Sequence, residues 1–137
     1  MNKNVLWLRL SYWSGAVIDA LAALLLTFPG LNAWFLGFGE IDMNAQFRSS
    51  NAPAAALMWG WTLLLIWGAQ KPVERKGVLG LTIFPVLLLM IGSRFQEVLV
   101  YQASLSSHLP LFVLQFSLLA LFSYSLWVNR GNLRGEK

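Results

Sequence analysis

Four long apolar stretches, separated by short polar segments, constrain what this chain can fold into. They cover about residues 5–28, 54–70, 77–101 and 109–128. A helix needs about 20 predominantly apolar residues to cross a hydrocarbon layer roughly 30 Å thick. We therefore predict an all-α fold, a four-transmembrane-helix bundle, in which residues 1–137 form a single integral membrane domain.

The composition excludes several classes of protein. Only 12% of the residues are charged and 57% are hydrophobic, whereas average soluble chains contain about 25% charged residues. An ordinary soluble enzyme is therefore excluded. The chain contains no cysteine, which excludes disulfides, thiolate metal sites and cysteine nucleophiles. Because the chain also lacks a His-Glu-x-x-His pattern and a base close to the serines of the last stretch, we predict no catalytic residue, no metal and no cofactor.

The basic residues predict the orientation in the membrane. Eight of the ten lysine and arginine residues lie at span ends that four crossings place on one side. Basic residues near span ends resist translocation, so we predict that both termini are cytoplasmic and that the chain is a multi-pass protein of a bacterial inner membrane. They form no stripe interleaved with exposed aromatic residues, which argues against nucleic acid as a partner. The eight residues are Lys3, Arg9, Lys71, Arg75, Lys76, Arg130, Arg134 and Lys137.

Residues 29–53 form the one sizeable predicted loop, on the outer side of the membrane. We expect Pro53 to lie in the first turn of the second span, where proline is tolerated, and Pro85 to kink the third span. The loop is too apolar for a solvated linker, so it lies on the membrane surface or folds over the outer end of the bundle as a lid. Its apolar residues are Leu31, Trp34, Phe35, Leu36, Phe38, Ile41 and Phe47.

Three ionisable residues lie inside the predicted spans: Asp19, Arg94 and Glu97. Asp19 interrupts the first stretch, so we expect a span there rather than a signal peptide. At about 1.5 Å per residue, Asp19 lies about 14 Å and Arg94 about 10 Å below the outer ends of their helices. Arg94 therefore has two candidate partners, Glu97 one turn along its own helix or Asp19 across the bundle.

Gln115 and Trp59 lie in the same outer half of the predicted bundle as Asp19 and Arg94. His108 lies at the outer end of the fourth span, and this position favours a capping or interfacial role for it. Two interpretations of this polar layer stay open. It is a buried ion pair that fixes the register of the helices, or it is the floor of an outward-facing cavity that binds a lipid, a quinone-like molecule or a cation. The candidate ligand-binding residues are Asp19, Trp59, Arg94, Glu97 and Gln115.

Segments 56–67, 71–76 and 82–86, with the sequences ALMWGWTLLLIW, KPVERK and TIFPV, resemble an uncharacterised family of small bacterial four-span inner-membrane proteins. Asp19, the proline at position 29 and the aromatic loop also resemble the EXPERA group of sterol isomerases and sigma-2-type receptors. That resemblance implies hydrophobic amines or sterols bound around buried acidic residues. The chain departs from it at the start of the second span, where Ser50, Asn51 and Ala52 stand in place of an acidic residue.

We therefore expect a non-catalytic membrane protein that binds lipid or a hydrophobic small molecule, or that serves as a subunit of a larger membrane complex. Small residues such as Gly77 and Gly80 favour close helix contacts, either within the chain or in a homo-oligomer. Two alternatives stay open. One is an EXPERA-like membrane isomerase with Asp19 or Glu97 as proton carrier, and the other is a small transporter coupled to protons or cations.

Overall fold

The computed structural model describes residues 3–28, 30–31, 45–100, 102 and 105–130. Their regular structure is entirely helical, and no described residue lies in a strand. This confirms the predicted all-α class. The helices are α1 (Lys3–Thr27), α2 (Ala45–Gln70), α3 (Gly77–Leu81), α4 (Leu88–Leu99) and α5 (Leu105–Val128).

Four segments within the described part of the chain are long and apolar enough to cross a membrane. α3, α4 and the turn between them together make the third of these segments. The segments are Asn4–Thr27, Asn51–Gln70, Gly77–Leu99 and His108–Val128. The prediction of four helices able to span a membrane is confirmed, while the cytoplasmic position of the termini and the packing of all four spans in one bundle stay predictions.

Two helices begin earlier than the sequence predicts. α2 begins at Ala45 and contains Pro53 in its interior, whereas the sequence predicts a loop up to residue 53. α5 begins at Leu105 and contains Pro110. Proline lacks the N–H of a helical hydrogen bond, which is why it was expected near the helix start. Membrane-spanning helices tolerate an interior proline. Extending the helix past the proline pairs backbone groups that would otherwise be left without partners in hydrocarbon. The apolar loop residues 32–44 lie outside the described residues.

The third span is kinked, as predicted. Between α3 and α4, the segment Thr82–Leu87 contains a kink, because the backbone leaves helical geometry at Phe84, with φ −120° and ψ 105°. The Phe84–Pro85 peptide bond is cis. Proline pushes the residue before it towards an extended conformation, so the helix is interrupted at Phe84 rather than at Pro85 itself.

The described residues group into two compact units. Trp13–Trp67 forms one unit and contains most of α1 together with most of α2. The other combines Met1–Tyr12 with Gly68–Lys137, so it holds the first turns of α1, the end of α2 and all later helices. We call them the contiguous unit and the discontinuous unit.

One face of α5 forms much of the core of the discontinuous unit. Its buried residues recur every three or four positions, the spacing of a single helix face. This face packs on α3, on the turn at Thr82–Leu87 and on α4. Polar residues share it with apolar ones, so hydrogen-bonding groups are carried into the helix contact. The buried residues of α5 are Phe112, Gln115, Leu118, Phe122 and Ser125, and Asn129, directly after the helix, is buried as well.

Candidate functional site

Three side chains meet where α4 ends and α5 begins, and we call Arg94, Glu97 and His108 the Arg94 cluster. Arg94 and Glu97 are one turn apart on α4, and Arg94 Nη1 donates a hydrogen bond to Glu97 Oε2 at 2.9 Å. His108 of α5 places its Nδ1 at 3.7 Å from the same oxygen, which is too long for a hydrogen bond. One carboxylate oxygen thus lies between a guanidinium and an imidazole.

The Arg94 cluster is neither fully buried nor freely exposed. The Arg94 side chain keeps 31% of its surface exposed and the Glu97 side chain 41%. His108 is more enclosed, and its Nδ1 is buried without a hydrogen-bond partner. A guanidinium has five N–H donors, so its bond to Glu97 leaves others able to bind an acceptor. Exposed apolar side chains lie nearby in sequence on both helices, namely Phe95, Leu99, Leu105 and Leu109.

Gln115 lies two turns after His108 on α5, on the same helix face. The residue is only 5% exposed, and its Oε1 has no hydrogen-bond partner within the described part of the chain. A buried amide oxygen without a donor costs about 1–3 kcal/mol, so a bound donor would stabilise the protein here. Among its described residues, the discontinuous unit therefore contains donors of Arg94 beyond the one bonded to Glu97 and an unpaired acceptor on Gln115.

Asp19 and Trp59 belong to the contiguous unit, where both join α1 to α2. Asp19 Oδ2 accepts a hydrogen bond from Thr62 Oγ1 at 3.0 Å. Trp59 Nε1 donates to Thr27 Oγ1 at 3.1 Å, and that hydroxyl donates in turn to the Ala23 carbonyl at 2.7 Å. Each of these polar side chains thus has a partner on the neighbouring helix.

The five candidate residues belong to different units: Arg94, Glu97 and Gln115 lie in the discontinuous unit, and Asp19 and Trp59 in the contiguous unit. Of the two partners that the sequence leaves open for Arg94, the structure shows Glu97. A pairing of Asp19 with Arg94 stays a prediction. Sequence reasoning missed Thr62, although it lies one turn from Trp59, and it gave His108 no link to Glu97.

No protein-family model matches this chain, and neither a curated protein nor a solved structure does. The family resemblances therefore stay predictions. The function has to be argued from the side chains themselves.

Proposed function

We propose that this is a non-catalytic integral membrane protein that binds an amphipathic molecule, a lipid or a hydrophobic small molecule with a polar head, at the Arg94 cluster. One observation carries the proposal. Arg94 lies in an apolar span, and its side chain remains 31% exposed beside Glu97, its one partner among the described residues. Charged groups inside spans are costly, by about 2.5–3.5 kcal/mol on insertion scales, and commonly mark ligand sites.

The position of Arg94 along its helix supports a polar head group as its partner. Arg94 is five residues from the end of α4 at Leu99, about 8 Å at the rise of an α-helix. A long side chain at this depth can direct its charged end towards the membrane interface. Polar heads of lipids and amphipathic molecules lie at that level, so a phosphate or carboxylate oxygen can accept the remaining N–H groups.

The neighbouring residues suggest the rest of the ligand. The apolar body would lie on exposed side chains such as Phe95 and Leu109. Gln115 Oε1, which lacks a partner among the described residues, would accept a hydrogen bond from a hydroxyl or amine of the same molecule once the buried side chain turned towards it. The favoured ligand thus carries an acceptor and a donor on its head and an apolar tail.

Native mass spectrometry of the protein, extracted from its own membrane in mild detergent, tests this function. We expect a bound small molecule on the wild type that Arg94→Gln loses by roughly tenfold or more, because a charge-assisted hydrogen bond contributes about 1.5–3 kcal/mol. Arg130→Gln is the matched control, since Arg130 is an exposed arginine outside the helices. It should retain the molecule.

Two results would contradict the proposal. Equal retention of the molecule by wild type and Arg94→Gln would place the ligand elsewhere. A stoichiometric second chain with no bound small molecule would favour a subunit of a membrane complex instead.

A further inference from the structure

The hydroxyl of Thr62 lies between two acceptors. Its Oγ1 is 3.0 Å from Asp19 Oδ2 on α1 and 3.0 Å from the Met58 carbonyl oxygen one turn earlier on α2. The Thr62 residue is only 3% exposed. A hydroxyl has a single proton to donate and two lone pairs to accept with, so it cannot donate to both oxygens at once.

This geometry fits both protonation states of Asp19. When Asp19 is ionised, Thr62 donates its proton to Oδ2. When Asp19 is protonated, the carboxyl donates to Thr62 Oγ1, and the hydroxyl proton turns to the Met58 carbonyl. In each state the bond between α1 and α2 is kept and the buried hydroxyl is paired.

No other charged side chain is described in the unit that contains Asp19. Asp19 is the only titratable side chain that the structure describes in Trp13–Trp67. The other charged residues of that unit, Glu40, Asp42 and Arg48, have side chains outside the described part. Among the described side chains of the contiguous unit, the partner of the Asp19 carboxyl group is therefore a neutral hydroxyl that can rotate, and not a basic side chain.

We propose that Asp19 is a reversible proton-binding site in the first span, with Thr62 as its two-way hydrogen-bond partner. Hydronium gives a proton to Oδ2 and leaves as water, and the reverse step returns the proton to water, so only O–H bonds form and break. This proposal does not rest on the ligand proposed at the Arg94 cluster, because its argument uses none of those residues.

The chain has two aspartates, Asp19 and Asp42. Aspartate labelled with carbon-13 at Cγ, in an Asp42→Asn background, therefore reports on Asp19 alone by NMR in lipid nanodiscs. We expect the Asp19 Cγ resonance to move between two endpoints over the pH range in which the protein stays folded. We expect Thr62→Val to shift both endpoints, because the hydroxyl bonds both forms, and Thr62→Ser to restore them.

Thr82→Val is the matched control. The Thr82 hydroxyl is also buried and donates to the carbonyl one turn earlier, that of Val78, at 2.8 Å. It should leave both Asp19 endpoints unchanged. A resonance that does not move with pH would refute the proton site. If Thr62→Val shifts only one of the two endpoints, or neither, Thr62 is not the hydrogen-bond partner of both forms of Asp19. Thr62→Ala makes the same comparison if the valine variant does not fold.

Discussion

Gly68 lies where α2 approaches the ring of Tyr12, and the absence of a side chain makes this approach possible. A Cβ built on Gly68 would overlap the Tyr12 ring, which is completely buried. The Tyr12 hydroxyl donates to the Arg75 carbonyl at 2.6 Å, just after α2 ends. The two residues together fix the first turns of α1 against the segment that leads into α3.

We expect Gly68→Ala to lower the free energy of unfolding by about 1–3 kcal/mol, the usual cost of overpacking a well-filled site. Unfolding by SDS titration in mixed micelles measures it. Gly60→Ala is the control on the same helix, because a Cβ there meets nothing within 4 Å. It should be neutral or stabilise by up to about 1 kcal/mol through helix propensity. Equal stability of the two variants would show that the Tyr12 contact does not matter.

At the scale of the helices, α2, α4 and α5 show which contacts and helix ends can be predicted from the sequence and which cannot. Arg94 and Glu97 can be singled out from the sequence because charged residues are costly in an apolar span. Their spacing on one helix makes the observed pair one of the two pairings that the sequence leaves open for Arg94. The contacts of His108 and Thr62 cannot be predicted from the sequence, because they depend on how one helix is rotated against the next. Helix starts at Ala45 and Leu105 are also missed, since a proline marks where a helix can begin and not where it must.

The Arg94–Glu97 pair should behave as a unit in a double-mutant cycle. Arg94→Gln leaves a carboxylate without its partner, and Glu97→Gln leaves a guanidinium, while the double variant removes both charges. We expect the double variant to be more stable than the sum of the single losses predicts, by about 0.5–1 kcal/mol, because both side chains are partly exposed. The same SDS titration measures all three variants. Additive losses would mean that the pair contributes nothing to stability.

At the scale of the whole molecule, hydropathy is the most informative property of the sequence. The four apolar stretches and the four span-capable helices coincide closely at the ends near residues 27, 70 and 128. Length and composition suffice for this, since a bilayer requires about 20 apolar residues per helix. Orientation is a separate inference that depends on basic residues outside the spans.

Cysteine accessibility tests that orientation cleanly, because the chain has no cysteine of its own. The Glu74 side chain is 66% exposed in the turn between α2 and α3, and Gln102 is exposed between α4 and α5. We expect a membrane-impermeant maleimide to label Gln102→Cys on intact spheroplasts and Glu74→Cys only after permeabilisation. The unsubstituted chain is the blank. Labelling in the opposite pattern would place the termini outside.

The hydrogen bonds of Asn129 bear on the order in which the chain is assembled during synthesis. Its side-chain Nδ2 donates to the Asn4 carbonyl at 2.9 Å and to the Ser125 carbonyl at 2.8 Å. The hydrogen bonds that join α1 to α2 in the contiguous unit involve no residue beyond Trp67, so they can form while the ribosome is still translating. The contact of Asn4 with Asn129 must wait until residue 129 has left the ribosome. The first helix to be synthesised is therefore among the last to complete its contacts.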